Sequence, residues 1–105
     1  MLGVKCSDEE LQAVVESIIE NRVGDLFSFK QLVDLVCTEL DKLNHLNKQA
    51  NTRYEGGVKL NHIDIDKIQK IVWTLIWDRK LMLDLYNDEY RYTPDRTSMR
   101  LIKMK

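Results

Sequence analysis

The spacing of the hydrophobic residues changes near residue 80, and this change constrains the fold more than any other feature. Before that point, three segments carry apolar residues three or four positions apart, which is the period of a helix. After it, the leucines of Leu81-Met82-Leu83-Asp84-Leu85 occupy every second position, as in a half-buried strand. The pattern predicts a mainly α-helical α+β fold in which a three-helix core is followed by a small C-terminal β-hairpin.

The starts of the first two helices are marked by serine. Each serine stands three residues before a Glu or Gln, at Ser7 with Glu10 and at Ser28 with Gln31, which is the spacing of a capping box. The helices are predicted over 8–22 and 29–47. Their apolar stripes are Leu11, Val14, Val15, Ile18 and Ile19 in the first helix, and Leu32, Val33, Val36, Leu40 and Leu43 in the second.

The third helix is predicted to begin near Asp64, which would be its N-cap, and to end at Arg79 or Lys80. Ile63 and Ile68 have the spacing of a hydrophobic staple around that cap. Its apolar stripe consists of Ile68, Ile71, Val72, Leu75 and Ile76. The preceding stretch 48–61 lacks periodicity and contains Gly56-Gly57, so it is predicted to be a mobile loop.

The hairpin is predicted to consist of strands at about 81–86 and 89–93, with Leu83 and Leu85 facing the core. The basic tail 95–105 follows Pro94, and its pattern leaves two alternatives open, a third strand or a loose arm. The elements together predict a single domain over 1–105 with its core in 7–93, because half of so short a chain buries too little surface to fold alone.

Composition favours an intracellular protein. No apolar run approaches the length of a membrane span, and the N-terminus lacks the apolar core of a signal peptide, so a cytoplasmic location without membrane contact is expected. The net charge is −1, but residues 1–47 carry four Lys/Arg against nine Asp/Glu, whereas residues 48–105 carry twelve against eight. The fold can therefore have an acidic and a basic side.

Three helices followed by a hairpin resemble the winged-helix superfamily in the order of their elements over residues 7–93. In that order, Leu26-Phe27 lies where many such domains place a short strand beside the hairpin. The resemblance implies a recognition helix in the third helix, a wing in the hairpin, and duplex DNA as a partner in transcription regulation. The residues expected to contact nucleic acid are Lys67, Lys70, Thr74, Arg96, Arg100 and Lys103.

Charge gives this DNA-binding interpretation little support. The third helix, from 64 to 80, carries four cations and three anions, whereas phosphate neutralisation supplies much of the affinity of DNA-binding proteins. Trp73 and Trp77 lie off the apolar stripe, which leaves three alternatives: packing inside the chain, contact with a partner, or base stacking. Tyr90 and Tyr92 are further candidates for partner contact.

No pattern indicates catalysis, a cofactor, a small-molecule substrate or a metal site. Cys6 and Cys37 are expected to be reduced thiols, and the His62-x-Asp64-x-Asp66 string is explained by the helix start. Two functions remain. The first is a nucleic-acid-binding regulator, favoured by the resemblance; the second is a protein-interaction module or homodimer that uses Trp73, Trp77 or the hairpin tyrosines, favoured by charge.

Overall fold

A computed structural model of the chain describes residues 4–45, 52–54, 57–84 and 100–104. The elements in chain order are α1 (Asp8–Asn21), β1 (Leu26–Ser28), α2 (Phe29–Lys42), β2 (Thr52–Tyr54), β3 (Gly57–Lys59), α3 (His62–Trp77), β4 (Leu81–Leu83) and β5 (Arg100–Lys103). The protein is therefore mainly helical with small antiparallel sheets, and the predicted α+β class is confirmed.

The two serine caps form as predicted. Ser7 accepts a hydrogen bond from the Glu10 backbone N–H at 3.1 Å, and Ser28 accepts one from the Gln31 N–H at the same distance. These bonds satisfy N–H groups that have no partner inside the helix. Capping is a local interaction, which is why sequence spacing alone locates the starts of α1 and α2.

The second helix ends five residues before its predicted limit. Asn44 adopts a left-handed backbone with φ 60°, and the His45 N–H donates to the Leu40 carbonyl at 2.8 Å. This is the Schellman arrangement, in which the chain turns back on the last carbonyls of the helix. Leu43, expected in the apolar stripe, is consequently exposed.

The third helix begins before Asp64, so the predicted N-cap is wrong. Asn61 is the cap, and its side chain accepts from the Asp64 N–H at 2.9 Å. Leu60 and Ile65 then occupy the staple positions, in place of Ile63 and Ile68. The helix ends at Trp77, earlier than expected, because Arg79 takes a left-handed backbone with φ 63°.

The three-stranded sheet has the order β1-β5-β4, with antiparallel neighbours. The C-terminal tail is therefore the central strand, which settles the choice between strand and loose arm. Strand β4 ends at Leu83, short of the predicted limit of 86, and pairs with β5. The predicted partner strand 89–93 and Leu85 lie outside the described residues.

The faces of this sheet follow from strand alternation. Phe27, Leu101 and Leu83 align across the three strands and face the core. Leu26 and Met82 both pair with Ile102, the next residue of β5, and these three side chains face away from the core. The expected inward orientation of Leu83 is thus confirmed.

The stretch 48–61, predicted to be a loop, contains β2 and β3, which pair antiparallel from Thr52 opposite Lys59 to Tyr54 opposite Gly57. Strands of three residues are too short to give a clear alternating pattern in the sequence. The connection between α2 and α3 therefore contains a small antiparallel pair of strands.

The core lies between the three helices and the inner face of the three-stranded sheet. The helices supply most of it, but Val4 and Leu101 are also buried, so the core extends beyond 7–93 at both ends. The fully buried large side chains are Phe27, Phe29, Leu11, Leu32, Leu40, Ile68, Leu81, Leu101, Val15, Val36 and Val72.

Candidate interaction surface on α3

Helix α3 has one face buried in the core and an opposite face in solvent. The buried face carries Ile68, Ile71, Val72 and Leu75, as the periodicity predicts. Because a helix advances about 100° per residue, the exposed residues of α3 can be placed on its circumference. Six of them fall within an arc of about 100° opposite the core. They form a surface called here the α3 strip: Ile63, Asp66, Lys70, Trp73, Thr74 and Trp77.

The two tryptophans are the most exposed large apolar groups on α3. Trp73 is 45% exposed and Trp77 is 87% exposed. The Trp77 ring is thus almost entirely in solvent, and about half of Trp73 also remains in water. The α3 strip thus leaves two aromatic rings of one helix face, four residues apart, available for contact.

The start of α3 is fixed by a contact with the N-terminal segment. Asp64 is fully buried, and its Oδ1 accepts a hydrogen bond from the Val4 N–H at 3.0 Å. The next backbone N–H, that of Lys5, donates to the His45 carbonyl at the end of α2. These bonds tie the start of α3 to α2 and orient the α3 strip relative to the rest of the fold.

The cations expected to contact nucleic acid on α3 are differently placed. Lys70 is exposed on the α3 strip, but Lys67 is half-buried and lies 3.8 Å from Asp8 Oδ1 in an ion pair with α1. The Thr74 hydroxyl donates to the Lys70 carbonyl at 3.0 Å, as is common for threonine within a helix. The α3 strip carries one cation and one anion, so it has no excess positive charge.

The tail cations do not form one surface with each other. Arg100 and Lys103 are three residues apart on β5, so strand alternation places them on opposite faces of the sheet. The Lys103 Nζ donates to the Val23 carbonyl at 2.8 Å, and the Asp84 N–H donates to the Arg100 carbonyl at 3.0 Å. A single flat ligand on one face of the sheet therefore cannot contact both residues.

The remaining candidate residues fall outside the described part of the chain. These are Arg96, Tyr90 and Tyr92. The expected role of Arg96 in nucleic-acid contact and that of the two tyrosines in partner contact stay predictions.

The His62-x-Asp64-x-Asp66 string is divided between two environments. His62 and Asp66 are exposed, whereas Asp64 is buried and holds Val4, so the role first given to Asp64 as a cap is wrong. Among the residues that the structure describes, no group of three or more His, Cys, Asp or Glu side chains is placed to hold a metal ion.

Both cysteines are partly buried, and both have thiols that resist ionisation. Burial raises the pKa of the Cys6 thiol, and Glu10 raises it further. Burial also raises the pKa of the Cys37 thiol, with Asp41 and Asp34 adding to the shift. The thiolate is the nucleophilic form, and a raised pKa lowers the fraction of each thiol that is ionised at neutral pH.

A second apolar surface escaped the sequence analysis. Leu26 and Met82 are exposed and flank half-buried Ile102 on the outer face of the sheet. The sequence does contain a signal for this surface. Met82 is an apolar residue at a position where the alternation of β4 predicts a polar one, and the consecutive residues Leu101 and Ile102 place apolar groups on both faces of β5. Ile63 on the α3 strip was missed because it was assigned to a staple.

Of the helices within the described ranges, none combines the length and apolarity needed to cross a membrane. Comparison of the chain with protein-family models, with curated proteins and with solved structures found no match in any of the three. Inferences about function therefore depend on the α3 strip and the residues around it.

Proposed function

We propose that the protein is an interaction module that forms a homodimer through the α3 strip. The observation that carries this proposal is the exposure of Trp73 and Trp77 on one face of a helix whose other face already lies in the core. Tryptophan is concentrated at the centres of protein interfaces, where its large ring is removed from water. An exposed apolar face of this kind lowers its free energy by binding a partner.

The size of the α3 strip sets the expected affinity. The helix has 16 residues and is therefore about 24 Å long at 1.5 Å per residue. Two faces of this length bury less than the ~1,200 Å² of a standard interface, so we expect dissociation in the micromolar range.

Sedimentation velocity at concentrations well above the expected dissociation constant tests the proposal. The intact chain is expected to sediment as a dimer of 12.4 kDa subunits, and a Trp73→Ser/Trp77→Ser variant as a monomer. Met82→Ser is the matched control, because it removes an exposed apolar side chain from the outer sheet face and should leave the dimer intact. A monomeric intact chain would contradict the proposal.

Binding of duplex DNA is a second candidate, which the position of Lys70 and Thr74 favours. Both lie on the α3 strip, and the resemblance to winged-helix domains would place this helix in the major groove. The same strip cannot contact DNA and a second copy at once. Dimerisation and duplex binding are therefore expected to compete.

Duplex binding is tested by its salt dependence in the intact chain and in Lys70→Gln. Loss of one phosphate contact should weaken binding and reduce the log–log salt slope by about one. Deleting the tail is not a usable test, because Leu101 is fully buried and its removal would open the core. If the intact chain does not bind duplex DNA at low salt, this candidate is excluded.

A further inference from the structure

Four of the six residues of the α3 strip have a symmetric order of chemical types along the helix. Ile63, Asp66, Lys70 and Trp73 follow one another as apolar, acidic, basic and apolar. The first and last pairs are each separated by three residues, so the midpoint of the order lies between Asp66 and Lys70. When the helix is reversed, each apolar position is replaced by an apolar position and each charge by its opposite.

This symmetry is what a two-fold interface requires. In an isologous dimer, residue i of one copy contacts residue j of the other, and j contacts i in return. If two α3 helices pack antiparallel about a two-fold axis at the midpoint, Asp66 comes level with Lys70 of the second copy, and Ile63 with Trp73. Each of these pairings occurs twice, and both combine groups that attract each other. Trp73 is the tryptophan covered by the second helix in this register, because Trp77 lies level with position 59, before the start of the second copy's α3.

We infer that the partner of the α3 strip is a second copy of this chain, packed antiparallel with the two-fold axis between Asp66 and Lys70. The inference rests on the proposed function. It adds the register of the two helices, which the pairing of Asp66 with Lys70 selects. The four charges of the two copies alternate in sign across the interface, and such complementarity fixes register and suppresses wrong arrangements.

Other arrangements of the same two helices lack these attractive pairs. A parallel pair about a two-fold axis places Lys70 beside Lys70 of the second copy, and like charges directly opposed are unfavourable. An antiparallel pair centred between Trp73 and Trp77 stacks the tryptophans, but Asp66 and Lys70 then lie level with positions beyond the end of the second copy's α3. Charge therefore favours the register centred between Asp66 and Lys70.

Charge reversal tests the register directly. The variants are Asp66→Lys, Lys70→Asp and the double exchange Asp66→Lys/Lys70→Asp, with Lys30→Asp as a matched control. Lys30 is exposed on α2, and its reversal changes the net charge as much as that of Lys70. Far-ultraviolet circular dichroism and thermal unfolding establish that each variant is folded.

Each single reversal is expected to weaken the dimer at least tenfold, because two attractive pairs become repulsive. An equimolar mixture of the two single variants should form a heterodimer of near-native affinity, since every lysine then faces an aspartate. The double exchange should restore the homodimer, and Lys30→Asp should leave it unchanged.

The results separate this inference from the proposed function. A dimer that is lost in Trp73→Ser/Trp77→Ser but unaffected by single charge reversals would overturn the register and leave the proposed function standing. Single variants that weaken the dimer but fail to recover affinity on mixing would also overturn the register. A monomeric intact chain would overturn the proposed function and the inference together.

Discussion

Both faces of α3 carry large apolar side chains, but the two faces have opposite environments. The inner face is an unbroken stripe from Ile68 to Leu75, packed against α1 and β4. The α3 strip also has large apolar groups, but Asp66 and Lys70 separate Ile63 from the tryptophans. The inner face is organised to exclude water permanently, whereas the strip combines apolar area with charges that are tolerated in water. That combination is typical of a surface that is exposed at some times and covered at others.

The largest expected effect comes from the inner face. Leu75→Ala should lower the free energy of unfolding by about 2–5 kcal/mol, because the leucine is buried and its removal leaves a cavity. Urea denaturation measures the loss. Thr74→Ala, the neighbouring substitution on the α3 strip, should change stability by less than about 0.5 kcal/mol. A loss below 1 kcal/mol at Leu75 would mean that the inner face is wrongly assigned.

The second effect comes from the contact that fixes the start of α3. Asp64→Ala removes the acceptor of the buried Val4 N–H, so a loss of about 1–3 kcal/mol is expected from urea denaturation. Hydrogen exchange of the Val4 amide should become faster. Asp66→Ala is the control on the α3 strip, and equal losses for the two variants would contradict the distinction between the faces.

A smaller effect is expected at the N-cap. Asn61→Ala should cost about 1 kcal/mol, because the Asp64 N–H loses its acceptor at the helix start. His62→Ala, at the exposed first position of the helix, serves as the control. Unfolding curves that rank His62→Ala as the more damaging change would show that the helix begins elsewhere.

The smallest effect on stability is expected at the most exposed residue. Trp77→Ser should change the free energy of unfolding by less than about 0.5 kcal/mol, because the ring makes little contact within the chain. The free energy of unfolding should be measured at protein concentrations well below the dissociation constant of the dimer, because association adds to the apparent stability. A loss comparable with that of Leu75→Ala would show that the ring packs inside the monomer.

Local signals accounted for much of the helical architecture. Ser7 and Ser28 were identified correctly because a cap and its recipient N–H lie three residues apart. The inner stripe of α3 followed from its period, and the switch to alternation located β4. The cap of α3 was misplaced because Asn61 and Asp64 are both good capping residues, and the choice between them depended on Val4, 60 positions away.

The sequence by itself determined the helical stripes, the two serine caps and the apolar surplus of α3, because each depends on residues a few positions apart. Only the tertiary structure decided that the C-terminal tail is the central strand, since β5 pairs with β1 more than 70 residues earlier. It also decided which side of α3 is covered. Packing against α1 and β4 buries Leu75 and leaves Trp77 in water, because one helix cannot turn all of its apolar surface toward a single core.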